Sequence, residues 1–327
     1  MRALFWITGL LATLYAGYWV VGSRAVLNGA TEALSGLKAE GRADYGAIAL
    51  KGFPSRFDLT IDTPKLESAD GRMTWQAPFI QFLALSYRPH NLIAVWPQDQ
   101  TVHLDGEQLD LQSDDLRASV TLVPGLDLPL DHSEVEGHGL VLTSDLGWQV
   151  LAEKLIVASR QVGADASRHE LAIVLTGLAP GNAFRGQIDP ARRQPATVQE
   201  ARLTLTATFD RALDRKALAG PLRILSLEAL DLSLGWGKIA ASATGDLAID
   251  EMGNPTGQLS LALTNWRDLL ILLSDSGVLS AEQAATAEQA LANATKPDDP
   301  TTVTLPLTFR GGMIWMGFIP LAMSPRF

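Results

Sequence analysis

From residue 45 onward the chain keeps returning to a period of two. Phe57, Leu59 and Ile61 alternate with Arg56, Asp58, Thr60 and Asp62, which predicts a strand with one dry face and one wet face. Gly52-Phe53-Pro54 bends the chain just before it, because proline removes a donor, and the short apolar stretch 47–50 makes the hairpin partner. Thr63-Pro64 stops the second strand. The same unit recurs in apolar runs at 73–75, 80–87, 92–96, 102–104, 109–111 and 116–122, then at 140–143, 154–159, 171–176, 203–209, 225–234, 238–249 and 257–264. Polar, Gly or Pro breaks separate the runs at the roughly eight- to twelve-residue spacing of an antiparallel meander. Residues 181–195, rich in Gly, Pro and Arg, read as a loop, and 211–218 as a short helix.

The period changes to that of a helix at the two ends of this region. Residues 3–22 carry no charge, and at about 1.5 Å per residue they span roughly 30 Å, the thickness of a bilayer's hydrocarbon core. Val26, Leu27, Ala30, Ala33, Leu34 and Leu37 continue the helical spacing as a juxtamembrane helix or stalk. Near the other end Trp266, Leu269, Leu270 and Leu273 recur at three and four, Asp275-Ser276-Gly277 breaks the run, and Ser280 with Gln283 forms a capping box for a second helix. That second helix is polar and alanine-rich and belongs on the surface. Residues 303–309 and 313–321, joined by Arg310-Gly311-Gly312, read as closing strands. The last run is too short to cross a bilayer and is interrupted by Gly317 and Pro320.

The predicted fold is therefore mainly β: an extended antiparallel sheet, curved or groove-like, with an N-terminal transmembrane helix and a helical hairpin near the C-terminus. Residues 1–24 form the anchor, 25–44 the juxtamembrane helix, and 45–327 a single β-rich domain with a helical insert at 265–295 and closing strands over 301–322. Ser23-Arg24-Ala25 offers a signal-peptidase cut, but the apolar run is longer than the core of a cleaved signal, so retention is expected. Tyr15, Tyr18 and Trp19 gather near one end of the run, where amphipathic rings suit a membrane interface. Arg2 makes the short flank positive, which places it in the cytoplasm and the domain in the periplasm of a bacterium, on the inner membrane.

Charge and composition narrow the partners. The formal net charge is −10, which opposes binding to phosphate backbones, so nucleic acid is not expected. The chain has no cysteine, which removes disulfides, thiolate metal sites and a cysteine nucleophile. No Walker loop, Gly-x-Ser-x-Gly elbow or His-Glu-x-x-His helix is present, so no enzymatic activity and no cofactor are expected. Gly235-Trp236-Gly237-Lys238 lacks the further glycine of a phosphate cradle and reads as a kink in a strand. His132, Glu134, Glu136 and His138 share one parity and would share one strand face, where a His/Glu pair has the donors for a metal. The two histidines would stand roughly 20 Å apart on a straight strand, so a solvated face is the plainer reading. Asp110, Asp114 and Asp115 make an acidic patch without the ordered spacing of a calcium loop. His90, His103 and His169 stand alone in sequence, and a Ser, His and Asp brought together in space stays open.

The aromatic residues Trp75, Phe79, Phe82, Tyr87 and Trp96 crowd one region. They fit core packing or, more sharply, an apolar groove for an acyl chain. One apolar helix is little cover for a long sheet with one dry face, which leaves surface for a lipid.

Gly52-Phe53-Pro54-Ser55-Arg56-Phe57-Asp58-Leu59, Thr63-Pro64-Lys65-Leu66, Tyr87-Arg88-Pro89-His90-Asn91 and the ending Gly312-Met313-Ile314-Trp315-Met316-Gly317-Phe318-Ile319-Pro320-Leu321 resemble the alphaproteobacterial envelope family catalogued as domain of unknown function 2125. The resemblance covers nearly the whole chain and implies a membrane-anchored periplasmic β-rich protein. It brings no catalytic residues, because the family carries no agreed activity. Residues 225–273, with Ala243-Thr244-Gly245-Asp246 and the Gly253-Asn254-Pro255 turn, are similar to modules of AsmA-like envelope proteins, which implies lipid transport or envelope homeostasis. The function expected from residues and resemblance together is binding or transfer of a lipid or another amphiphile, or support of the envelope, through an apolar sheet face. The alternative is a structural or protein-interaction module of the envelope that holds other envelope proteins and takes no small ligand.

Overall fold

The computed structural model describes residues 1–217, 222–295, 298–317 and 319–327. A helix, α1 (Arg2–Ala39), leads into strands that come as collinear pairs: β1 (Ala43–Asp44) with β2 (Ile48–Lys51), β3 (Arg56–Asp62) with β4 (Lys65–Glu67), β5 (Met73–Gln76) with β6 (Phe79–Leu85), β7 (Arg88–Val95) with β8 (Asp99–Leu104), and β9 (Glu107–Gln112) with β10 (Asp115–Leu122). Longer strands follow: β11 (Leu130–Ser144), β12 (Gln149–Val162) and β13 (Asp165–Pro180), then helix α2 (Asn182–Ile188), then β14 (Val198–Phe209), β15 (Ile224–Trp236), β16 (Ile239–Ile249) and β17 (Pro255–Thr264). The helical hairpin α3 (Trp266–Asp275) and α4 (Ala281–Ala294) precedes β18 (Thr302–Arg310), β19 (Met313–Met316) and β20 (Ile319–Met323).

Every pairing is antiparallel and joins neighbours in the meander. One half runs β2–β3–β6–β7–β10, the other β1–β4–β5–β8–β9, and β11 takes both, β10 along its first part and β9 along its second. From β11 a single ladder continues through each following strand in turn to β20.

The breaks between collinear strands line up as a crease across the sheet. Pro64, Pro78 and Pro97 lie on it, each without an N–H to give to the ladder. In β11 and β13 glycines take the same role, Gly139 at φ +57° and Gly177 at φ +63°. A Cβ at Gly139 would stand 2.1 Å from Asp114 Oδ2, so only glycine fits this break in the ladder. The break also corrects the alternation. A Cβ at Gly137 would touch the side chains of both Leu116 and Leu140, so Leu140 stays on the face of Gly137 although their spacing is odd.

α1 is one uninterrupted helix, and its second half is no free stalk. Ala16, Trp19, Ser23, Leu27, Ala30, Leu34 and Leu37 are the less exposed positions, at intervals of three and four, and form the stripe turned to the first strands. Gly22 allows the closest approach, since a Cβ there would lie 2.9 Å from the Phe57 ring. Lys38 Nζ closes the helix end 2.7 Å from Asp44. Residues 4–14 are exposed on all sides.

The predicted hairpin around Gly52-Phe53-Pro54 is present as β2 and β3, and the capping box of Ser280 and Gln283 opens α4. Three local readings differ from the structure. The loop at 181–195 contains α2, where Ile188 packs with Leu178 beside Val198 and Trp236. Residues 211–216 form bends and turns and Ala217 is in 3-10 conformation, with Asp214 accepting from the backbone of Lys216 and Ala217, and residue 218 lies outside the described residues. Gly237, at φ +62°, sits in the hairpin turn between β15 and β16, not in a kink within a strand.

Candidate functional site: an apolar sheet face

Residues directly opposite one another on neighbouring strands share a face of the sheet. The register therefore shows which side chains form a continuous surface. Starting at Leu59, the directly opposed residues are Phe82, Ala94, Ala118, Val135, Val157, Ile173, Leu203, Leu232, Ala243, Leu261 and Leu305. Every one is apolar. At about 4.8 Å between strands the row extends roughly 50 Å. One residue along, the other face reads Asp58, Leu83, Ile93, Ser119, Glu134, Ala158, Ala172, Thr204, Asp231, Thr244, Ser260 and Pro306. Small and polar side chains dominate it from β10 onward.

The apolar face is covered at its margins and open along its middle. Towards one end of the strands Ala207, Leu227, Leu247, Leu259 and Phe309 bury one another. Towards the other, Leu269 and Leu272 of α3 pack on Trp236, Ile239 and Val198. Between these clusters Val157 is 37% exposed, Ile173 38%, Leu232 44% and Leu234 41%. Val157, Ile173 and Leu232 belong to the row just traced, linked through Leu203, so the exposed surface is contiguous and not scattered. It has the chemistry to hold hydrocarbon, because apolar area removed from water contributes about 25 cal/mol per Å².

The aromatic residues singled out from the sequence are divided by the register. Phe82 lies in the apolar row, facing Leu59 and Ala94. Phe79 opposes Asp62, an odd number of places from Phe82, and so points to the other face. Trp75 lies beyond the crease, opposite Leu66 and Val102, and donates from Nε1 to Gln100 Oε1 at 2.9 Å. Trp96 sits at the crease between β7 and β8, its backbone N–H on the Leu116 carbonyl. Tyr87 stands in the turn between β6 and β7 at the rim. The exposed centre of the apolar face instead uses aliphatic residues of β12, β13 and β15. Their alternation marked them as strand residues, but nothing in it showed that no helix would cover them.

His132, Glu134, Glu136 and His138 do share a face, the polar one. Glu136 is the hub of an ion-pair cluster: Lys154 Nζ lies 2.8 Å away, His138 Nε2 3.5 Å and Arg117 3.7 Å. The hydrogen bond from Lys154 holds the Glu136 carboxyl below the ordinary carboxylate range. His132 pairs with Asp131 at 3.1 Å. Among the described residues no group of three or more His, Cys, Asp or Glu side chains is placed to hold a metal. A depression of about 800 Å³ lies on this face, floored by Ser119, Ala158, Ala172 and Thr204 and rimmed by Glu134, Arg160 and Glu170.

His169 is brought 3.1 Å from Ser159 Oγ through Nδ1, a contact that single-sequence reading has no way to find. The ring is fully buried, next to Phe209 with centroids 6.5 Å apart. Burial lowers its pKa below the ordinary value of 6.5, so the folded protein keeps it neutral. Unfolding releases it to take up a proton, and stability from this group is complete above the unfolded value and lost as pH falls through it towards the folded one. Urea midpoints measured from about pH 7.5 down to 5.5 are expected to fall in the native protein and to fall less in His169→Gln. Equal slopes in the two proteins would remove His169 as the source.

The fold is an antiparallel meander with one face apolar and partly bare, led by a helix long and apolar enough to cross a bilayer, which is consistent with membrane association. The chain belongs to the family described as "Uncharacterized protein conserved in bacteria (DUF2125)", whose model matches residues 19–325. The match begins at Trp19, within the helix stripe that packs on the sheet, and takes in every strand. No curated protein and no solved structure matches the chain.

Proposed function

We propose that this protein is anchored in the bacterial inner membrane by α1, with the sheet in the periplasm, and that the apolar face holds the acyl chains of a lipid or similar amphiphile in transit or in store. The observation that carries the reading is the unbroken apolar row from Leu59 to Leu305, uncovered at Val157, Ile173 and Leu232. A water-facing apolar stripe of this length costs free energy unless something apolar occupies it.

A photo-crosslinking amino acid placed at Ile173 or Leu234 in the full chain is expected to capture adducts of lipid mass in cells. The same probe at Thr204 or Ser233, on the opposite face, is expected to capture none. Absence of adducts at Ile173 and Leu234, or equal yields from both faces, would sink the proposal.

A second reading, an interaction module of the envelope, is favoured by β20. This strand pairs with β19 on one side, its five residues are all exposed, and it offers its other edge to an incoming strand. Pro320 lacks one donor, which limits how long such a pairing grows.

A further inference from the structure

The charge-free run of α1 lies between Arg2 and Arg24, and a bilayer's hydrocarbon core takes about 20 such residues. The whole run is therefore needed to cross. Yet its last part is already in contact with the β domain. The Tyr15 hydroxyl lies 2.8 Å from Ser86 Oγ, the Tyr18 hydroxyl donates to the Ser86 carbonyl at 2.6 Å, and Trp19 Nε1 donates to the Arg56 carbonyl at 2.8 Å. The Trp19 ring meets Phe53 edge-on at 5.2 Å and Phe57 at 6.1 Å. At about 1.5 Å per residue, Tyr15 lies roughly 10 Å deeper along the helix than Gly22.

The domain residues at these depths belong to two turns at one end of the sheet, 52–55 between β2 and β3 and 86–87 between β6 and β7. Phe53, one edge of its ring on Trp19, and Tyr87 are each 60% exposed there. The charges nearby are Lys51, Arg56, ion-paired with Asp58, and Arg88, and the long stems of Lys51 and Arg88 let their heads reach phosphate. The turns at the far end of the sheet, joining β4 to β5, β8 to β9 and β11 to β12, carry Asp70, Arg72, Asp105 and Asp145, and their one aromatic ring is the half-buried Trp148. Aromatic rings with paired or snorkelling charges suit the headgroup zone, and carboxylate-rich turns suit water.

We propose that the turns 52–55 and 86–87 form a foot embedded in the interfacial zone of the phospholipid bilayer, with Phe53 and Tyr87 among the headgroups and upper acyl chains. The sheet is planted in the membrane surface, not held away from it on a stalk. This inference rests on α1 crossing the bilayer and not on the apolar face holding lipid.

The absence of native cysteine makes the depth of single sites measurable. Leu10→Cys, Phe53→Cys, Tyr87→Cys and Leu146→Cys, each in the full chain, are labelled with a nitroxide in nanodiscs of phosphatidylethanolamine and phosphatidylglycerol. Power saturation then compares collisions with oxygen, which favours lipid, and with a water-soluble nickel chelate. Leu146 is 74% exposed at the opposite end and reports water. Labels at 53 and 87 are expected to favour oxygen several-fold over the label at 146, approaching the label at 10. Tyr87→Cys leaves the Trp19 contacts intact, so loss of the Phe53 ring cannot by itself produce a negative result at both sites. Labels at 53 and 87 as accessible to nickel as the one at 146 would overturn the foot while leaving the anchor in place. A water-exposed label at 10 would overturn the foot and the anchor together, whatever lipid the apolar face captures.

Discussion

Leu232→Asp is expected to reduce the lipid recovered with the full chain at least tenfold while leaving the fold intact. Leu232 is 44% exposed in the free protein, so a carboxylate there stays hydrated and the sheet loses little. Its opposed neighbours are Leu203 and Ala243, and a hydrocarbon chain laid along the row has to cover it. An ionised carboxylate covered in this way loses its water without gaining a partner, at a cost of several kcal/mol, and each 1.4 kcal/mol is a factor of ten in affinity. Ser233→Asp is the matched control. It adds the same charge one residue away on the opposite face, facing Arg202 and Ser242, and is expected to leave recovery unchanged. Native mass spectrometry with extraction of bound lipid reads both variants, and an unchanged thermal melt confirms that each is folded. Lipid recovered from Leu232→Asp at the native level would remove the apolar face as the binding surface.

Trp266→Ala is expected to destabilise the protein by about 3–5 kcal/mol in urea unfolding, the range for truncating a fully buried large aromatic. Trp266 is 1% exposed and opens α3, directly after Asn265, whose Nδ2 donates to the Lys238 carbonyl at 2.6 Å and ties the helix start to the β15–β16 turn. Arg267 covers the ring, with its guanidinium carbon 4.0 Å from the centroid. Without this anchor, Leu269 and Leu272 lose their hold on Trp236 and Ile239, and the covered margin of the apolar face opens. Trp236 emission should then shift to the red together with the loss of stability. Trp266→Phe, which keeps most of the buried surface, should restore more than half of the loss. A change below about 1 kcal/mol for Trp266→Ala would mean that α3 is held by contacts other than these.

The sequence by itself determined what local periodicity can encode. Alternation at 57–61 marked a strand with two unlike faces, the charge-free run at 3–22 marked a bilayer-length helix, and Ser280 with Gln283 marked the start of α4. Each signal depends on residues within one or two turns or one strand, so a reader of the chain has all of it in view. The predicted meander followed for the same reason, since short breaks leave successive strands few partners but each other.

The tertiary structure decided everything that depends on register. Phe79 and Phe82 read alike in the sequence, but pairing with Asp62 and Leu59 sends them to opposite faces. The break at Gly139 shifts the alternation within β11 while the register with β12 is kept on both sides of it, so simple parity fails across the crease. Whether Leu232 is covered turns on where α3 docks. Whether residues 25–39 stand free turns on how closely Gly22 lets α1 approach Phe57, and both are contacts between distant parts of the chain. His132 to His138 gave the right donors for a metal, but the strands on either side set Arg117 and Lys154 beside Glu136, and a carboxylate satisfied by two cations has little left to offer a third. A side chain's face is set by its own strand, while its cover and its charge partners are set by strands and helices far away in sequence, and that is where the local pattern stops.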